Sequence, residues 1–145
     1  MKGIYVLVLW LNNDLEVTIG KLGKFHFKTG YYYYVGSAHG TGGFKRVTRH
    51  FKVASGKNST RKWHIDYLLP HSEVICALLF PTDEALECKV AGTLEKFSEI
   101  ISCFGCSDCR CETHLFLSDV NVKNNIIRTV TRLTGNESII IYPSM

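Results

Sequence analysis

The chain opens on the near-continuous apolar run GIYVLVLWL at residues 3–11, rich in β-branched and aromatic residues, which predicts a buried strand. LEVTIG, KFHFKTG and YYYYVGSA follow as shorter strand-like stretches separated by glycine-containing turns. GTGG then breaks the pattern, and Phe44, Val47, Phe51 and Ala54 recur at helical spacing, predicting a helix from about Gly43 to Ala54. GKNST reads as a loop, RKWHIDYLL as a short helix stopped by Pro70, and EVICALLF as a second buried strand. The stretch PTDEALECKVAGTLEKFSEII predicts one long helix. Thr82 is its N-cap, acids occupy its first turn, and Leu86, Val90, Leu94, Phe97 and Ile101 form its stripe. HLFLS predicts a further strand, DVNVKNNIIRTVTRL a last helix closed by Gly135, and SIIIYP a terminal strand. With no repeat, low-complexity tract or linker, the pattern describes one α+β domain over residues 1–145.

Composition supports a folded domain: 145 residues suffice for a sizeable core, and 46% are hydrophobic. The N-terminal apolar run is too short for a membrane span and lacks a small-residue cleavage site. The expectation is a cytoplasmic protein with no membrane partner.

Charge changes the picture through its distribution. From Val17 to Ile65 there are ten Lys/Arg and no acid, whereas from Asp66 to Asp119 ten acids face three bases. A long acid-free stretch makes a field suited to a polyanion, usually nucleic acid. Its alternative is a solvated basic face neutralised by acids that fold beside it.

On the predicted helix, Arg46 and His50 share one border of the apolar stripe, while Lys45, Arg49 and Lys52 project toward solvent. A half-buried arginine can hold a phosphoryl group bidentately, and a histidine one turn away can move a proton. Tyr5 on the first strand and Tyr34 on the strand before this helix can present their hydroxyls at the same end of an antiparallel pair. A tyrosine beside an arginine and a metal is expected to have a lowered pKa and to help activate water. Taken singly, each of these residues reads better as packing than as chemistry.

GIY at residues 3–5, YVG at 34–36 and Arg46-x-x-x-His50 on the next helix together resemble the signature of the GIY-YIG nuclease superfamily. Val35 departs conservatively from the usual isoleucine. The 28 residues between Tyr5 and Tyr34 exceed the separation in compact members and imply an extra hairpin. KWHIDYLL, LEC and FGCSDCRCETHLF resemble a less characterised branch of small prokaryotic proteins, sometimes joined to a DNA-repair glycosylase. The likeness runs from Gly3 to about Phe116.

This resemblance implies a small central antiparallel sheet flanked by helices, with an extra N-terminal hairpin and a C-terminal helix and strand. It also implies metal-assisted phosphodiester hydrolysis, with Mg²⁺ (or Mn²⁺) held by one glutamate from a helix after the third strand. On a helical wheel Glu87 lies at the border of the stripe, roughly 100° from Leu86, while Glu95 and Glu99 lie near roughly 180° and 220°, toward water. Glu87 is therefore the expected metal carboxylate. An asparagine that the superfamily tends to carry near the end of the site has no clear equivalent. Asp66 reads as an acid fixing a nearby basic side chain rather than as a second metal carboxylate.

Cys103, Cys106, Cys109 and Cys111, with His114 after them, are zinc-ligand types. The crowded cluster lacks the two separated knuckles of an ordinary zinc finger, and the intervening serine and aspartate point instead to a turn pinned by side-chain hydrogen bonds.

Three readings follow. The first is a metal-dependent endonuclease acting on DNA ahead of RNA, of repair or restriction type, with Tyr5, Tyr34, Arg46, His50 and Glu87 as catalytic residues. Lys45, Arg49, Lys52, Arg61 and Lys62 would contact phosphates. The second is an inactive nucleic-acid-binding module of the same fold, and the third a zinc-dependent interaction protein.

Overall fold

A computed structural model describes residues 2–101, 104 and 113–143. It is an α+β fold built on a six-stranded sheet, entirely antiparallel in its pairings, with helices on both faces. The elements in chain order are β1 (Gly3–Leu11), β2 (Leu15–Ile19), β3 (Gly23–Phe27), β4 (Gly30–Ser37), α1 (Lys45–Ala54) and α2 (Ile65–Leu68). They continue with β5 (Glu73–Pro81), α3 (Glu87–Leu94), β6 (Glu99–Ile100), β7 (Leu115–Ser118), α4 (Lys123–Thr134) and β8 (Ile139–Ile141). The sheet order is β6-β7-β4-β1-β5-β8, and β2 and β3 form the separate hairpin expected between the two tyrosine strands.

The uniform apolarity of β1 has a direct cause: the strand is central, and both its faces are covered. Tyr5, Leu7, Leu9 and Leu11 pack with Tyr32 and Tyr34 of β4 toward α1, α2 and the hairpin. Ile4, Val6 and Val8 pack with Tyr33 and Val35 toward α3 and α4. Alternation along β4 therefore divides the tyrosine run between two cores. Tyr32 donates to the Lys28 carbonyl (2.6 Å), whereas Tyr33 accepts from the Val122 amide (2.9 Å) on the other face. Burial pushes the Tyr33 hydroxyl up to about 12, so it is neutral and free to serve as that anchor.

The long helix expected over residues 81–101 is shorter and is followed by a turn and a strand. Thr82 is not its N-cap: the Thr82 hydroxyl accepts from the Glu84 amide (3.1 Å) in a local turn, and the helix begins at Glu87. After Leu94 the chain turns, with the Ser98 hydroxyl donating to the Leu94 carbonyl, and pairs Glu99 and Ile100 with Leu117 and Phe116. Side-chain competition for backbone carbonyls and the open edge of β7 outweigh the helical pattern here. Phe97 packs in one core and Ile101 in the other, which a single helical stripe cannot achieve. The last helix ends as expected at Gly135, whose φ of 74° is left-handed. Among the described residues no helix is long and apolar enough to cross a membrane.

Candidate active site

The site forms at one end of β1 and β4, where register sets the geometry. Tyr5 is opposite Gly36 and Leu7 opposite Tyr34, so both tyrosines project from one face, toward α1. Two glycines of these strands, Gly36 and Gly3, are there for space. A Cβ at Gly36 would stand 2.2 Å from Tyr5 Cζ and 2.3 Å from its hydroxyl, and one at Gly3 would stand 2.2 Å from the Phe80 carbonyl oxygen. Such contacts are far inside van der Waals distance, so a side chain at position 36 would expel the Tyr5 ring.

Helix α1 brings His50 over the sheet end. Its Nε2 lies 2.8 Å from the Tyr5 hydroxyl, and its ring stands edge-on to Tyr34 with centroids 6.1 Å apart. Tyr5 and His50 are each 1% exposed, Tyr34 8%. Burial, opposed by Asp66 and reinforced by Arg49 and Arg46, lowers His50 to about 4, so the imidazole is neutral at pH 7. Among the described residues its buried Nδ1 has no partner. An orphaned acceptor costs less than an orphaned N–H, which favours the tautomer whose Nε2–H donates to the Tyr5 oxygen.

The lowered Tyr5 pKa expected from sequence is reversed among the chain's own groups. Burial, with Tyr34 and Glu87 adding to it, pushes the hydroxyl well above the ordinary phenol value and outweighs the opposing pull of Arg46. Tyr5 is thus a neutral phenol.

Arg46 is half-buried, as its border position implies. Its Nη1 donates to the Ser37 carbonyl (2.8 Å), its guanidinium lies 4.9 Å from the Trp63 ring centroid, and it reaches the Tyr5 hydroxyl. The guanidinium is therefore held at a fixed angle with donors to spare.

Arg49 departs from the wheel. It turns inward to a bidentate pair with Asp66, Nη1–Oδ1 and Nη2–Oδ2 both 3.0 Å, and stacks on Trp63 at 4.4 Å. Asp66 also accepts from the amides of Lys62 (2.7 Å) and Trp63 (2.9 Å). Burial alone would raise this carboxyl, but the bonds from Arg49 and the two amides hold it below its usual value. Sequence distance hid the pair, because the acid-free segment ends one residue before Asp66. The structural role expected for Asp66 is what the geometry displays: it ties the segment carrying Trp63 to α1. Lys45, Lys52, Arg61 and Lys62 are exposed.

Glu87 is the first residue of α3, on the opposite side of the sheet, and still comes within electrostatic reach of Tyr5. Its partner was missed from sequence: His114 Nδ1 lies 3.1 Å from Glu87 Oε1, with the imidazole 5% and the carboxylate 25% exposed. Burial lowers the His114 pKa, so a neutral ring donates Nδ1–H to the carboxylate. Cys103, Cys106, Cys109 and Cys111 lie outside the described residues, and among the described residues no three His, Cys, Asp or Glu side chains gather around one point. The donor set at Glu87, a carboxylate 25% exposed with the neutral His114 ring beside it, fits a divalent cation that keeps most of its waters.

Tyr5, Tyr34, Arg46 and His50 thus meet at one sheet end, with Glu87 in electrostatic reach of Tyr5. The chain belongs to the family described as "Domain of unknown function DUF123", whose model matches residues 4–135. No curated protein and no solved structure matches it.

Proposed function

We propose that the chain is a metal-dependent nuclease that hydrolyses nucleic-acid phosphodiesters, DNA ahead of RNA, as its resemblance to the GIY-YIG superfamily implies. The observation that carries the reading is the convergence on Tyr5 of residues from β1, β4, α1 and α3 that share no local pattern. A core needs no arginine, neutral histidine and carboxylate around one phenol.

Glu87 would hold the cation, Mg²⁺ or Mn²⁺, with water and substrate phosphate completing its shell. The bound ion would supply Lewis-acid stabilisation of the phosphate and a more acidic water. Arg46, fixed by Ser37 and Trp63, pairs with a non-bridging phosphate oxygen as negative charge builds. His50 Nε2–H and Arg46 both reach the Tyr5 oxygen, which would leave the neutral phenol's O–H free to orient the attacking water. Tyr34 flanks the same end of the sheet. Lys45, Lys52, Arg61 and Lys62 supply sequence-independent phosphate contacts.

The test is incubation of the full chain with duplex and single-stranded DNA and with RNA, in Mg²⁺, Mn²⁺ or EDTA. Metal-dependent cleavage by wild type, lost in Arg46→Ala, supports the reading. A second reading, a nucleic-acid-binding module without turnover, draws on the burial of Tyr5 and His50. Salt-sensitive DNA binding with no cleavage under any of these conditions would decide for it.

A further inference from the structure

We propose that Glu87 and His114 form a mixed oxygen–nitrogen ligand pair for one divalent first-row transition ion, of which Mn²⁺ is the probe. The inference rests on the reading of Glu87 as a metal carboxylate, and extends it by naming a second ligand and the class of ion. Two donors each about 2.1 Å from a metal and about 90° apart are about 3.0 Å from one another. His114 Nδ1 and Glu87 Oε1 stand 3.1 Å apart, the separation of two neighbouring ligands on one ion, so an ion beside the N···O line reaches both once the imidazole turns toward it.

Both donors are placed by backbone rather than by chance contact. The His114 amide donates to the Phe104 carbonyl (2.8 Å), and its carbonyl accepts from the Val35 amide (2.9 Å), beside Tyr34. The residue is therefore tied to the strand that carries the candidate site. Glu87 sits at the head of α3, whose following residues Val90, Ala91 and Leu94 are buried and anchor the turn. Such preorganisation lowers the entropy lost when an ion binds.

The nitrogen donor sets the class of ion. Mg²⁺ favours an all-oxygen shell, whereas an imidazole donor binds divalent first-row transition ions more readily, with affinity rising from Mn²⁺ to Cu²⁺. Two protein donors leave the other positions to water and phosphate oxygen, as a hydrolytic site requires. Cys103, Cys106, Cys109 and Cys111 are ligand types for soft ions. Mn²⁺ is a poor match for thiolates, which makes it the discriminating probe.

The experiment is Mn²⁺ titration of the full chain, followed by EPR, with calorimetric Mg²⁺ titration alongside. Expected are one Mn²⁺ per chain, affinity weakened at least tenfold in Glu87→Gln and in His114→Ala, and no change in Glu95→Gln. His114→Asn keeps an N–H near Nδ1 without the imidazole and should also bind at least tenfold more weakly. Wild-type affinity in the folded His114→Asn chain would make His114 only an orienting donor and overturn the proposal. Should the variants not fold, pulsed EPR of wild type carrying ¹⁵N-histidine decides alone. Nitrogen coupling from a directly bound ring supports the pair, and its absence removes it. Because these readouts measure binding, a chain that binds Mn²⁺ through both residues but cleaves nothing would sink the nuclease reading and leave this one standing.

Discussion

The Tyr5 hydroxyl and His50 Nε2 lie 2.8 Å apart, 45 residues distant in sequence, and each residue is 1% exposed. Among the described residues His50 Nδ1 has no partner, so this is the bond that satisfies the ring. Tyr5→Phe leaves both nitrogens of a buried imidazole unpaired and should cost about 1–3 kcal/mol. Urea denaturation measures it. A variant as stable as wild type would mean that the bond contributes nothing.

The same imidazole makes stability depend on pH. His50 titrates near 4 in the folded chain against an ordinary value of about 6.5, so between these values the unfolded chain binds more protons. Stability should rise with pH through this window and fall by about 3 kcal/mol as pH drops from 6.5 to 4. The Asp66 carboxyl is depressed, so its contribution is present above the unfolded carboxylate value and is lost only as pH falls below it, in a separate and more acidic step. Urea midpoints from pH 4 to 7 should show the first slope in wild type and its flattening in His50→Gln. Equal slopes in the two chains would exclude His50 as the cause.

Arg49 and the exposed lysines of α1 should separate in their effects. Arg49→Ala strips a buried carboxylate of two bonds, leaving it the Lys62 and Trp63 amides, and should cost about 2–3 kcal/mol. Lys45→Ala with Lys52→Ala should leave stability nearly unchanged and flatten the logarithmic salt dependence of DNA affinity by about one to two units. Thermal melts and fluorescence anisotropy at several salt concentrations test both. A slope untouched by the lysine pair would remove this face from the binding surface.

The two glutamates of the α3 region offer a matched comparison. Glu87→Gln should lower cleavage under saturating DNA by several orders of magnitude, with metal-free DNA binding unchanged or slightly tighter. Glu95 is exposed, and Glu95→Gln should cleave as wild type does. The reverse outcome would place the metal carboxylate elsewhere.

Gly36→Ala tests the spacing of the site. Its Cβ would meet the Tyr5 ring at 2.2 Å, so the ring must move and the bond to His50 must break. A loss of about 1–3 kcal/mol is expected, with a changed tyrosine signal in near-ultraviolet circular dichroism. An unchanged spectrum would show that the ring has room after all.

Much of this molecule was legible from residue order. Apolar periodicity marked the eight-residue YVG strand, the buried β1 and β5, the hairpin, α1 and α4 because each is set by its own face and turns. Tyr5, Tyr34, Arg46 and His50 were legible because strand alternation and helix spacing dictate which way a side chain points. What only the tertiary structure decided are the pairings made across chain distance. Arg49 finds Asp66, Glu87 finds His114, and the chain after Leu94 leaves the helical pattern so that Glu99 and Ile100 pair with β7. Burial likewise decided the protonation of Tyr5 and His50, because desolvation depends on how many layers cover a group and not on its neighbours in sequence. Local pattern specifies direction along the chain. The partner at the end of each side chain is a property of the folded whole.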